Sequence, residues 1–447
     1  MLKKTPPICA AIPGMAAFFL SITFLCISCV SADPLRSVDA FVEQENFSKS
    51  AETLEQKRNS IYRDKDEVLY FLDKGMLTHY MGNYEESSRL LQQGERAIEE
   101  NYAKSISQEI GTFLLNDRVR EYGGEDYEDI YLNVFNALNY YHRGNMEGAM
   151  VEIRRMNNKL RDLSVKYGHM MSNMQKAALE NKTEVPANPE APIKFNNSAL
   201  ARYLGMLFHR GSGMPDDARI DYDQLRIAMA DAPAIYKNPV PSSLKDELSI
   251  PSGMARLNVI GFAGRSPKKT EEIIRIFFHN HNAWIKIALP VMTPRPSRIA
   301  SIEVVFDSGE SFALELLEDI SAVVTATFAQ KKGIIYSKSI MRASIKGVTA
   351  SVFNTAAEHS KGKDKGVYTM IGIGSQILAE ASEQADLRVA RYFPGKAYIG
   401  GITLKPGTYS YTVTYYGKKR EVIAEYRFDN ILIRANALNL KEVVCLK

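Results

Sequence analysis

Two hydrophobic periods divide the chain. Between residues 33 and 232 apolar side chains recur every three to four positions, the spacing of helices that bury one face, as in Leu69, Leu72 and Met76 or Val134 and Leu138. Pro233 to Pro251 holds four prolines and sustains no period, which places a linker at 233–253. From residue 254 the period falls toward two, the mark of strands. Strands are expected at Ala255–Ala263, Glu271–Phe278, Trp284–Leu289 and Ile299–Phe306, ahead of the turn Asp307-Ser308-Gly309. Leu314–Lys361 and Val367–Ala385 read as apolar helices. Strands return over 396–447, at Tyr398–Leu404, Thr408–Tyr416 and Glu421–Phe428.

Within the helical half one local grammar repeats. Gly82-Asn83-Tyr84 and Gly144-Asn145-Met146 each separate two helix-periodic runs and are followed by acidic and small residues. A third unit runs through Leu204, Gly205 and Phe208 to Ala218 and Tyr222, with a turn that reads as longer. An incomplete one begins at Asn46-Phe47. These read as tetratricopeptide (TPR) repeats, in which small residues let paired helices cross closely and each pair leaves an apolar face for its neighbour to cover. The 62 residues from Gly82 to Gly144 exceed one repeat, so an insertion, read as a further irregular helical pair over Ile98–Arg120 and a polar loop over Glu121–Asp126, is expected, and Ser172–Asn197 reads as a mobile polar linker (172–197). In this register Leu69, Leu72, Met76, His79 and Tyr80, then Tyr131, Val134, Leu138, Tyr141 and His142, face the inner surface. They form there either a groove for a protein partner or internal core.

The fold expected is therefore an α-helical TPR-like solenoid (33–232) followed by an α+β domain (254–447) with a β-sandwich-like sheet. Helices are expected over about 314–385, and the strands before and after them share one sheet.

Composition adds compartment. Lys3 and Lys4 precede an uncharged apolar run to Val30, the pattern of an export leader (1–28). Leu25-Cys26-Ile27-Ser28-Cys29 resembles a lipobox, making Cys29 the expected lipidation site. Val30-Ser31-Ala32 offers the alternative, cleavage after Ala32 and release as a soluble periplasmic or secreted protein. Three of the four cysteines lie within residues 1–32, and processing at Cys29 leaves only that residue and Cys445, so the exported chain is built without a disulfide framework. The formal charge of +4 is too small to indicate nucleic acid.

Chemistry is sparse. No G-x-S-x-G, Walker loop, H-E-x-x-H or mature C-x-x-C occurs. His279-x-His281 reads as a hydrogen-bonded pair at a strand end and Gly372-x-Gly374 as a helix contact. The acidic pairs Glu125-Asp126 and Glu128-Asp129 read as helix-start carboxylates. No catalytic residue, metal or cofactor is expected. The alternative is an enzyme with a site near His279, His281, Arg295 and Arg388.

The order of motifs resembles a family of largely uncharacterised bacterial envelope lipoproteins with TPR repeats. The residues that carry it are Leu114-Leu115-Asn116-Asp117, Gly124-Glu125-Asp126-Tyr127-Glu128, Ala137-Leu138-Asn139-Tyr140, Gly144-Asn145 and Glu152-Ile153-Arg154-Arg155. It continues in Ala201–Leu204, Ala288-Leu289-Pro290-Val291, Pro294-Arg295-Pro296, Glu315–Ile320, Glu383-Gln384-Ala385-Asp386-Leu387-Arg388 and Leu404-x-Pro406-Gly407-x-Tyr409. The resemblance implies an exported protein tethered to a membrane by an N-terminal lipid, facing the periplasm. It brings no catalytic residue, and likeness to other envelope lipoproteins points to a scaffold or adaptor with a protein partner.

Overall fold

The computed structural model describes residues 33–107, 117–180, 195–278, 283–359 and 384–447. Four antiparallel helical hairpins come first: α1 (Arg36–Glu43) with α2 (Phe47–Gln56), α3 (Glu67–Tyr80) with α4 (Tyr84–Ser107), α5 (Asp126–His142) with α6 (Met146–Glu180), and α7 (Ala199–Gly211) with α8 (Pro215–Asp231). Each hairpin packs on the next in chain order.

All four are closed by the same three-residue turn. The residues Glu45, Gly82, Gly144 and Gly213 hold φ between +59° and +78°. The amide that follows each donates back five residues, Asn46 to the Phe41 carbonyl, Asn83 to Thr78, Asn145 to Tyr140 and Met214 to His209, at 2.9–3.2 Å. This is the left-handed helix stop that favours glycine. In the first three hairpins the asparagine that follows then caps the next helix, its Oδ1 accepting from the amides of Lys49, Glu86 and Gly148. The repeated Gly-Asn is thus one residue to stop a helix and one to start the next. The third unit has the same turn, not a longer one, and Pro215 at the first helical position starts its second helix.

The helical insertion expected from Ile98 begins as a continuation of the preceding helix, and the expected 172–197 linker is helical in its first part. Helix α4 runs without a break through Ile98 to Ser107, and α6 runs through Ser172 to Glu180, so this part of the expected linker is ordered helix. Met174, Ala177 and Ala178 are buried there against Ile334 and Met341, a tertiary contact that overrides a polar local composition.

The strands are β1 (Ala255–Arg265), β2 (Lys268–Phe278), β3 (Ala283–Thr293), β4 (Ser301–Phe306), β5 (Ser311–Glu318), β6 (Pro394–Leu404), β7 (Gly407–Tyr416), β8 (Val422–Ile433) and β9 (Asn439–Cys445). Seven form one mixed sheet in the order β8-β7-β4-β5-β6-β1-β9, with β1 and β9 parallel and every other pair antiparallel. Strands on both sides of the long helix α9 (Ile320–His359) share this sheet.

The sheet is a nearly closed barrel and not the expected sandwich. It curls until its edges approach, and the Tyr426 hydroxyl on β8 donates to the Val444 carbonyl on β9 at 2.5 Å. Two devices permit the curl. Gly261 on β1 and Gly400 on β6 leave space filled by Ile302, Leu314 and Phe312, where a Cβ would stand 2.6–3.0 Å from those side chains. Strand β9, absent from the expected strands, supplies the closing edge.

Leu314–Glu318 is strand where helix was expected, because β5 faces two cores. Leu314 lies in the barrel interior and Leu317 in the core shared with the helices, so the alternation of a half-exposed strand is lost. The helix expected over 314–361 is the single α9, and the one expected over 367–385 lies largely outside the described residues. Strands β2 and β3 form a separate two-stranded ribbon, with Ile287 and Leu289 of β3 covered by Tyr336 and Ile340 of α9.

Candidate functional site

The inner face of the hairpins is the first candidate, and it is not an open groove. Leu69, Leu72, Met76, Tyr131, Val134 and Leu138 are buried in a core that continues into the carboxyl-terminal half through Ile260, Phe262, Tyr392 and Phe393. Phe135 sits between the rings of Phe262 and Phe393, with centroids at 5.1 and 5.9 Å. The polar residues of the face bond to the same half. The Tyr80 hydroxyl donates to the Tyr392 carbonyl at 2.8 Å, the Tyr131 hydroxyl donates to Glu318, and the Tyr141 hydroxyl accepts from the Leu440 amide at 3.0 Å. His79 and His142 both clasp Glu442 of β9, at 2.7 and 3.2 Å. Of the two readings of these residues, groove or core, the geometry is core. An apolar tract of this size demands cover, and a segment of the same chain supplies it without the entropy loss of bringing a second molecule.

The clasp around Glu442 continues into a buried polar chain. His79 Nδ1 donates to Asn139 Oδ1 at 2.7 Å, while the Asn139 amide donates to Ser87 and the Ser87 hydroxyl to the Gly75 carbonyl. With Nδ1 committed as a donor, Nε2 meets the carboxylate as a second donor, which is the charged imidazolium. Burial opposes charge on both partners. The attraction between them outweighs it, raising His79 above its ordinary value and holding Glu442 down to about 2.

Glu318, at the end of β5, is a second buried socket. It accepts from the hydroxyls of Tyr131, Tyr236 (2.6 Å) and Ser198 (3.0 Å) and from the Leu200 amide (3.2 Å), so hairpin three, the start of α7, and the 233–253 segment all converge on one carboxylate. Glu318 falls in an expected helix and Glu442 in no expected strand, and with charged Asp319 and Lys441 beside them nothing local singles out either carboxylate.

The second candidate is a cavity of about 230 Å³ bounded by α4, α5, α6, α9, the ribbon and the segment 384–388. At its base the Glu125 carboxylate lies between Lys269 and Lys331 (2.6 Å), and Asp126 between Lys166 (2.6 Å) and the Tyr167 hydroxyl (2.7 Å). Burial works against ionisation of Asp126, but Lys166 and Lys331 outweigh it and hold the carboxyl well below its usual range. Arg388 closes one wall, bonded to Asp386 (2.8 Å) and Asp66 (3.0 Å), with its guanidinium 5.2 Å from the Tyr122 ring centroid. Two segments that carry the family resemblance, Gly124–Glu128 and Gln384–Arg388, meet here across more than 250 residues of chain. The Ala390 amide donates to Glu128 at 2.5 Å.

The Glu128 carboxyl is displaced upward. Fully buried and next to Glu125, it is pushed up to about 7 although the Glu125 and Ala390 amides and the Tyr122 hydroxyl donate to it. A carboxyl raised in the folded state stabilises fully below its unfolded pKa near 4.5 and loses that contribution as pH rises through about 7. The stability difference between Glu128→Gln and the parent is therefore expected to move in the variant's favour from pH 4.5 to 7. Urea midpoints at several pH values measure this; a pH-independent difference contradicts the assignment.

Of the four residues of the alternative enzyme site, Arg295 and Arg388 are described, and they lie apart. His279 and His281 lie outside the described residues. Arg388 borders the cavity, but Arg295 is half-buried elsewhere, donating to the carbonyls of Ser266 (2.6 Å) and Arg391 (3.0 Å). At the cavity the carboxylates of Glu125, Asp126 and Asp386 are matched by lysine or arginine, an arrangement that fixes charges in a seam. Among the described residues no group of three or more His, Cys, Asp or Glu is placed to hold a metal ion, and no helix is long and apolar enough to cross a membrane.

Comparison of the chain with protein-family models, with curated proteins and with solved structures finds no match.

Proposed function

We propose that this protein is an exported adaptor of the bacterial cell envelope, tethered by lipid on Cys29, whose hairpins are TPR-type units and which acts by holding a protein partner. The observation that carries the reading is the use of the inner face. His79, Tyr80, Tyr131, Tyr141 and His142 all bond within the chain, so hairpins and barrel form one preassembled body. The cavity supports the same reading through its matched charges. A partner then meets the outer surfaces, among which the ribbon stands out: Ile273 and Ile274 of β2 are 49% and 36% exposed on successive, opposite-facing positions.

A photo-crosslinking amino acid tests this in intact cells. Placed at Ile273 it is expected to give one discrete protein adduct, and placed at Leu138 only intramolecular products. Adducts to another protein from Leu138 overturn the closed inner face, and absence of any adduct across exposed ribbon positions overturns the adaptor.

A further inference from the structure

The described chain starts at a fixed point. Asp33 accepts from the Leu35 amide through its side chain (3.0 Å) and from the Arg36 amide through its carbonyl (3.0 Å), and both of its carboxylate oxygens pair with the guanidinium of Arg391. Arg391 also reaches Asp39 at 3.4 Å, and its amide donates to the buried Asp73. Leu35 packs against the main core. The first described residue is thus tied to the seam between hairpins and barrel.

Covalent geometry then limits how far the body stands from anything attached to Cys29. Four peptide steps separate Cys29 from Asp33, and a fully extended chain spans at most about 14 Å over four residues. We propose that the folded body is seated directly on the phospholipid surface through the end face formed by the first hairpin and the base of the ribbon, with Arg36, Lys57 and Lys268 against the headgroups. This rests on lipidation of Cys29 as proposed above.

The end face suits that partner. Helices α1 and α2 terminate the stack, with Val38, Val42, Ala51 and Leu54 turned inward to the core and Arg36 and Lys57 exposed. Asp39 and Glu43 are engaged by Arg265, at 3.2 and 3.3 Å, and Asp33 by Arg391. Arg36, Lys57 and Lys268 make no ion pair among the described residues, Lys57 having only the Ser37 hydroxyl at 2.8 Å. Lys268 is exposed and near enough to Asp33 to favour its ionised form. Exposed cations within a Debye length of anionic headgroups, about 10 Å at 0.1 M salt, are attracted to them. The last hairpin lies three packing layers away, roughly 30 Å at about 10 Å per layer, so α7 and α8 stand clear of the bilayer.

The test uses the protein expressed with its leader, the mature form being purified from membranes and reconstituted into vesicles of phosphatidylethanolamine and phosphatidylglycerol carrying a nitroxide on the headgroup. Thiol labelling is selective, because Cys445 is buried and its thiol pushed up to about 12. Fluorophores on Arg36→Cys and Lys268→Cys are expected to be quenched several-fold more than one on Asp216→Cys at the start of α8. The triple reversal Arg36→Glu/Lys57→Glu/Lys268→Glu, read with a label on Ser37→Cys, is expected to lose most of that quenching with the acyl mass on Cys29 unchanged. Equal quenching at all three positions, or at none, with the acyl mass present overturns the seat and leaves the tether standing. A mature chain without the acyl mass overturns the tether, and the seat with it.

Discussion

Glu318→Ala is expected to remove about 3–5 kcal/mol of folding stability, because three hydroxyls and one amide lose a common buried acceptor and none can turn to water. The loss is larger than for an ordinary surface glutamate because the socket joins segments from four parts of the chain. Glu318→Gln keeps one carbonyl oxygen but presents an amide to hydroxyl donors, so it recovers only part of the loss. Chemical unfolding of both variants, followed by far-ultraviolet circular dichroism, checks the order. A Glu318→Ala protein within about 0.5 kcal/mol of the parent, the range of an inconsequential surface change, refutes the socket.

The second large effect is at Glu442. Its removal is expected to cost about 3 kcal/mol, two hydrogen bonds to a charged group at roughly 1.5–3 kcal/mol each, reduced by relaxation. It also carries a pH signature. The raised pKa of His79 means that its contribution is complete below about 6.5 and disappears as pH rises through the folded value. The pKa of Glu442, lowered to about 2, means that its contribution is complete above about 4.5 and disappears as pH falls toward 2. The clasp is therefore strongest between about pH 4.5 and 6.5. Subtracting the stability of Glu442→Gln from that of the parent at each pH isolates it from other displaced carboxyls such as Asp73 and Glu128. A difference that is flat from pH 5 to 9 shows that the imidazole at position 79 is not charged in the fold.

Both sites show why some of this molecule was legible in the sequence and some was not. The Gly-Asn turns were, because a left-handed glycine and a capping asparagine act within five residues of each other. The strands of the barrel were found nearly all by alternation. The exceptions are β9 and β5: one is short and carries Lys441-Glu442 in its midst, and the other faces two cores. The inner-face residues were found as a set, but their cover was not. Tyr80 and Tyr392 are 312 positions apart, and His79 and Glu442 are 363.

What the sequence by itself determined is local: where helices stop and restart, and where apolar period gives way to strand. These follow from backbone preferences and side-chain spacing over a few residues. The tertiary structure alone decided that one sheet curls into a barrel, that this barrel and not a foreign peptide covers the hairpins, and that Glu318, Glu442 and Glu125 become sockets. Those outcomes depend on burial and on partners hundreds of residues distant, and a carboxylate carries no mark of its partner until the fold removes it from water.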